Sequence, residues 1–176
     1  LSQDTELGLD FNEKFSEFIS IRNKGKIRKK SVESTISTSR ERETEGWWNE
    51  LWFQFRFSRS IDMDFIFLNG VDSGRQQETD FSAKAYGMAI DGRFFFGRMG
   101  KLQTNFTWTK VKEDNGLNYI PPEALNGYPV GGGFRTNLRM QYFLNQSVSM
   151  IFSLNTIQDN RYANFITFQG EIRAHF

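Results

Sequence analysis

The chain has 176 residues, enough for one domain or one slice of a larger one. Its 22 Lys and Arg nearly balance 21 Asp and Glu, which argues against wholesale binding to nucleic acid. No stretch approaches the roughly 18–20 apolar residues of a membrane-spanning helix, and the absence of cysteine removes disulfides, thiolate catalysis and thiolate zinc sites together.

In chain order, Leu7, Leu9 and Phe11, then Phe15, Ile19 and Ile21, predict two strands about a turn at Asn12 to Lys14. The dense basic run Arg22, Lys24, Lys26, Arg28, Lys29 and Lys30 reads as a solvated turn. Ser31 to Arg40 is a less regular strand around Val32 and Ile36. Trp47 to Ser58 carries the clearest period of two: Trp47, Leu51, Phe53, Phe55 and Phe57 on one face, and Trp48, Glu50, Trp52, Gln54, Arg56 and Ser58 on the other. A helix cannot collect such a set, because its neighbours lie three or four apart. After a tight turn, Ile61, Met63, Phe65 and Phe67 alternate with Asp62, Asp64, Ile66 and Leu68. From Phe81 to Phe96, Tyr86, Met88 and Ile90 alternate with Ala83, Ala85, Gly87 and Ala89. Further alternating runs cover Leu102 to Thr109, Phe134 to Leu144, Val148 to Asn155 and Ile166 to Phe176, and the one helical feature expected is a turn at Pro122 to Leu125.

The expected fold is therefore all-β: an antiparallel transmembrane β-barrel, with about 8–10 strands in residues 1–176 and part of a larger barrel. The less regular strands occupy 5–40 and the regular ones 47–176. Connections alternate between short ones (Ser58 to Ser60, Phe96 to Gly100, Asn145 to Ser147) and longer ones (Gly70 to Thr79, Asp114 to Gly133, Gln158 to Asn164), as do the turns and loops of outer-membrane barrels. A secreted soluble β-sandwich that binds glycans through Trp47, Trp48 or Tyr128 is the alternative, since alternation alone does not separate the two. Runs of about 10–12 residues favour the barrel over soluble strands of about 5–6, as do rings placed toward strand ends, such as Trp47, Trp48, Phe94 to Phe96, Trp108 and Tyr142.

The last strand, FITFQGEIRAHF, resembles the C-terminal β-signal of bacterial outer-membrane proteins, with Phe168, Gly170, Ile172, Ala174 and the terminal Phe176 at alternate places. The end of the chain is more loosely similar to the ends of large outer-membrane proteins of the Bacteroidota–Chlorobiota type. The resemblance implies insertion by the barrel-assembly machinery, which pairs with the strand edge by β-augmentation. It also implies the outer membrane of a Gram-negative-type bacterium, contact with its lipid and lipopolysaccharide, and a chain that ends a longer polypeptide, with other envelope subunits as further partners.

Site candidates follow from the alternation. Arg56, Asp62, Asp64, Arg135, Arg139, Glu171 and Arg173, with Glu50, Gln54 and Asn137, are expected to line the lumen. Asp62 and Asp64 share a face; ion pairing with partners such as Arg56 outweighs a cation site or an acid/base role there. His175, the only histidine, reads as a rim residue rather than a catalytic base. Tyr119 and Tyr128, in a loop bracketed by Pro121, Pro122 and Gly131 to Gly133, are candidate ligand contacts, unless that loop folds into the barrel mouth as a plug. The function expected is a pore, translocon or membrane anchor with no catalysis, cofactor or metal.

Overall fold

The period of two is realised as nine strands: β1 (Ser2–Lys14), β2 (Ile19–Val32), β3 (Arg42–Ser58), β4 (Ile61–Gln76), β5 (Thr79–Phe95), β6 (Gly100–Glu113), β7 (Gly131–Phe143), β8 (Val148–Gln158) and β9 (Phe165–Ala174). In the computed structural model, which describes residues 2–32, 42–76, 79–116, 120–145, 147–159 and 164–174, they form one antiparallel sheet in sequence order. β1 and β9 are its edges, and the sheet is open between them.

Several boundaries differ from the sequence reading. The basic run is the middle of β2 rather than a turn, because alternate cations find acidic neighbours on β1 and β3. The first turn lies at residues 15–18, after Lys14, where the Ser16 hydroxyl accepts bonds from the backbone N–H groups of Phe18 and Ile19 at 3.1 Å each. Gly70 to Gln76 is strand, not loop: Gly70, Asp72 and Gly74 pair with Ala85, Ala83 and Phe81, so only residues 77–78 separate β4 from β5. The contrast between short and long connections thus rests on two of the three longer ones expected. Of the strand expected at Ser31 to Arg40, Ser31 and Val32 complete β2 and the rest lies outside the described residues. Trp47 and Trp48 sit well inside β3, which begins at Arg42, and not at its end. The turn expected at Pro122 to Leu125 is a 3-10 turn at Ala124–Gly127.

Residues paired across an antiparallel ladder point to the same face, so the register carries each face across the sheet. One row runs Lys26, Trp48, Gly70, Ala85, Val111 and Gly131. On this face the connection between β6 and β7 folds back and lies over β3, β4 and β5. Every buried apolar strand residue belongs to it, among them Trp48, Ile66, Leu68, Phe81 and Val111, packed with Ile120, Ala124 and Leu125 of the connection. Small side chains at Ala83, Ala85, Gly87 and Ala89 leave the room that the connection fills. Gly70 is required there, since a Cβ would stand 2.6 Å from the Trp48 ring.

The opposite face is bare among the described residues. It carries Leu7, Leu9, Phe11, Trp47, Phe67, Met88, Phe168 and Ile172, each between 43% and 77% exposed. Toward the short-turn end its rings include Phe57, Phe94 and Tyr142; toward the other end they are Trp47, Tyr86, Trp108 and Phe134, beyond which stand Glu45, Lys84, Lys110 and Lys112.

Candidate functional site: the covered face

The covered face is charged from edge to edge. On β2 the even positions Arg22, Lys24, Lys26, Arg28 and Lys30 all point to it, opposite Asp4, Glu6 and Asp10 of β1. Arg22 pairs with Asp10, Lys26 with Glu6 at 3.7 Å and Lys30 with Asp4 at 3.9 Å.

Farther in, the charges hold the connection down. Asp72 is buried; it accepts the Leu125 backbone N–H at 2.6 Å and lies 3.4 Å from the Arg28 guanidinium. Arg28 also donates to the Glu123 carbonyl, and Arg42 pairs with the Glu123 carboxylate. These contacts secure a strained backbone. Leu125 and Asn126 hold φ of 47° and 55°, followed by Gly127 at 76°, three left-handed residues in a row.

An aromatic and ionic chain of contacts then crosses the face. Arg135 of β7 stands 4.5 Å above the Tyr128 ring, which stacks on Trp48 at 5.8 Å and 16°. The Trp48 and Trp52 indole N–H groups both donate to Glu50, at 3.0 and 3.1 Å, and Lys24 lies 4.8 Å over Trp52. Burial raises the Tyr128 hydroxyl pKa above its usual value, opposed by the Arg135 charge. Tyr128 therefore spends its ring on the protein, and Tyr119 lies outside the described residues. Trp47 and Trp48 are on opposite faces and cannot form one platform.

At the short-turn end the covered face keeps an open cavity of about 210 Å³, lined by Lys14, Ser16, Gln54, Arg56, Asp64 and Arg93 among others. Here Arg56 is 3.3 Å from Asp62, and Arg93 is 3.8 Å from Asp62 and 3.6 Å from Asp64, so both carboxylates face guanidinium groups. Arg135 also lies 3.8 Å from Asp159. Arg139 and Asn137 share the face, as do Glu171 and Arg173, which pair at 2.7 Å on β9. Asn137 donates to Asn155. Phe168, Gly170, Ile172 and Ala174 lie on the bare face of β9, while His175 and Phe176 fall outside the described residues.

Sequence reading missed the group that holds the connection: Arg28, Arg42, Asp72 and Glu123. Its one legible trace is apolar Trp48, Ile66 and Leu68 on an otherwise polar face, opposite small residues. Among the described residues no group of three or more His, Asp or Glu is placed to hold a metal ion, and no helix is long and apolar enough to cross a membrane, which says nothing of strands. The chain matches no protein-family model and no curated protein.

Proposed function

We propose that the chain is the wall of an outer-membrane β-barrel, a non-catalytic pore, translocon or anchor whose lumen is occluded by its own connection between β6 and β7. The observation that carries this reading is the inversion of the two faces. Most of the ion pairs and the folded-back connection share one face, and between its bounding rings the other presents large apolar side chains with nothing over them among the described residues. A water-soluble sandwich does the reverse, burying its apolar face against a second sheet.

The dimensions of the bare band agree. Trp47 to Phe57 on β3 and Phe134 to Tyr142 on β7 are ten and eight residues apart. At a rise of about 3.4 Å and a tilt of about 40°, that spans roughly 21–26 Å, close to the apolar band of about 25 Å on known barrels. Rings bound the band at both ends and charges lie beyond it, as lipid headgroups require. The longer connections then face outward and the short turns the periplasm.

Fractionation tests the reading. The protein is expected in outer membranes, soluble only in detergent, and heat-modifiable on gels. Partition into detergent-free buffer as a monodisperse species would exclude it.

A further inference from the structure

We infer that the outward rim of the bare face, at β5 and β6, binds one phosphorylated glycolipid of the outer leaflet. Lys84, Lys110 and Lys112 take its phosphates, and the groove below them takes an acyl chain. The inference rests on the barrel reading, which turns this rim outward. Elsewhere along the rim acids and bases match: Lys29 lies 2.8 Å from Glu43 and 3.7 Å from Glu45, and Arg75 2.8 Å from Asp80. At β5 and β6 they do not. Lys84 and Lys112 stand directly opposite each other across the ladder, where like charges destabilise a sheet. Lys110 follows on the same face, roughly 7 Å along β6. Asp114, 3.4 Å from Lys84, answers one of the three cations, and among the described residues neither Lys110 nor Lys112 has a carboxylate partner.

The surroundings leave room for a headgroup and give it polar contacts. Across the ladder to β7, Lys110 faces Gly132, where an added Cβ would meet nothing within 4 Å. Asn49 and Asn69 stand opposite each other in the row that continues through Tyr86 to Lys110. An amide against hydrocarbon is costly without a hydrogen-bond partner, and the ester, amide and hydroxyl groups at the base of a glycolipid supply one. The next row inward is Leu51, Phe67, Met88 and Trp108. These four wall an open groove of about 350 Å³, with the Tyr86 ring edge-on to Trp108 at 6.0 Å. Cations, amides and an apolar groove thus succeed one another from the rim inward, in the order of phosphate, acyl linkage and acyl chain.

Charge selects the class of lipid. Three ammonium groups against the single carboxylate of Asp114 leave an excess of two positive charges. Phosphatidylethanolamine carries no net charge to offset it, and phosphatidylglycerol offsets half. A glycolipid with two phosphate groups matches it in one molecule.

The test uses the full polypeptide, extracted from its own outer membrane and reconstituted in phosphatidylcholine nanodiscs. These are doped with diphosphoryl lipid A, monophosphoryl lipid A or phosphatidylglycerol, and retained lipid is counted by native mass spectrometry. The parent should retain a single diphosphoryl molecule per chain in preference to the other two lipids. Combining Lys84→Gln, Lys110→Gln and Lys112→Gln should weaken retention about a hundredfold, at roughly fivefold per lysine near a membrane surface. Gly132→Leu, which keeps every charge but fills the space beside Lys110, should weaken it as well. Arg59→Gln with Arg98→Gln, in the short turns at the opposite rim, should leave it unchanged. Equal retention by the parent and either rim variant overturns the proposal. So do equal retention of phosphatidylglycerol and a dimer of the chain closed over the groove. Only heat-modifiable protein is compared, so an inserted parent that retains no glycolipid loses the site alone. If the parent is recovered in detergent-free buffer, the barrel reading itself has failed.

Discussion

Asp72 ties β4 to the folded-back connection and to β2. It is buried, faces one guanidinium, and satisfies the N–H of a leucine held at positive φ. Removing one partner of a buried pair leaves an uncompensated charge, which costs about 3–5 kcal/mol. Asp72→Ala should therefore destabilise the protein by about that amount in denaturant unfolding from lipid vesicles. Because the damage is local, it should also open the backbone near Leu125 and Tyr128 to chymotrypsin in the folded protein. Unchanged protease resistance would show that the connection does not depend on this carboxylate. Nothing in the sequence marks Asp72 for the role. In SGRQQ-type polar surroundings its segment reads as loop, and only pairing with small residues on β5 reveals it as strand.

At the scale of elements, alternation exposed most of the strands because each face has a different neighbour. The boundaries were less legible where strands continue into charged residues. Arg42 to Gly46 and Gly70 to Gln76 lack the apolar half of the pattern, yet their backbone ladders persist. The connection between β6 and β7 was legible as a long loop from its glycines and prolines, but its path was not, since that depends on the room left by four separate strands, β3 to β6. If it closes the lumen, replacing residues 117–129 by a short Gly-Ser linker should leave insertion intact and raise solute flux in liposome swelling or planar-bilayer recordings. Equal flux in the parent and the shortened protein would rule out a plug. The bare face makes a separate prediction. Phe67→Arg, in the middle of the band, should lower stability in the bilayer by about 2–4 kcal/mol, the usual penalty for a cation at that depth. Glu45→Arg, beyond the ring of Trp47, should change it little. Similar losses for both would show that the face does not contact lipid.

For the whole molecule, the all-β antiparallel class was fully legible: repeated period-two runs joined by turns admit little else. Closure was not, because it depends on strands meeting edge to edge rather than on any one segment. Under the barrel reading, the C-terminal strand would tie folding to compartment. Deleting Phe176, or Phe176→Asp, should leave the protein in the periplasm or degraded, and Phe176→Tyr should be tolerated, as read from heat-modifiable, protease-resistant protein in isolated outer membranes. Arg173→Gln removes only an exposed ion pair with Glu171, which solvent screens, and should insert normally. Equal insertion of the Phe176 deletion would remove the case for a terminal assembly signal.

The uniform spacing of cations on β2 has one more effect. Because Arg22, Lys24, Lys26, Arg28 and Lys30 are all on the same side, a β1 displaced by two residues would still find a base for nearly every acid, as if sliding along identical teeth. Leu7, Leu9 and Phe11 meet only Ile27, Gly25 and Asn23 on the other side, too little contrast in shape to resist the slip. Alignment of this hairpin is thus delegated to its bend, where the Ser16 hydroxyl fixes the reversal. The first two strands thus tolerate a small shift of register, whereas β3 and β4, with Trp48 seated over Gly70, are held to one alignment.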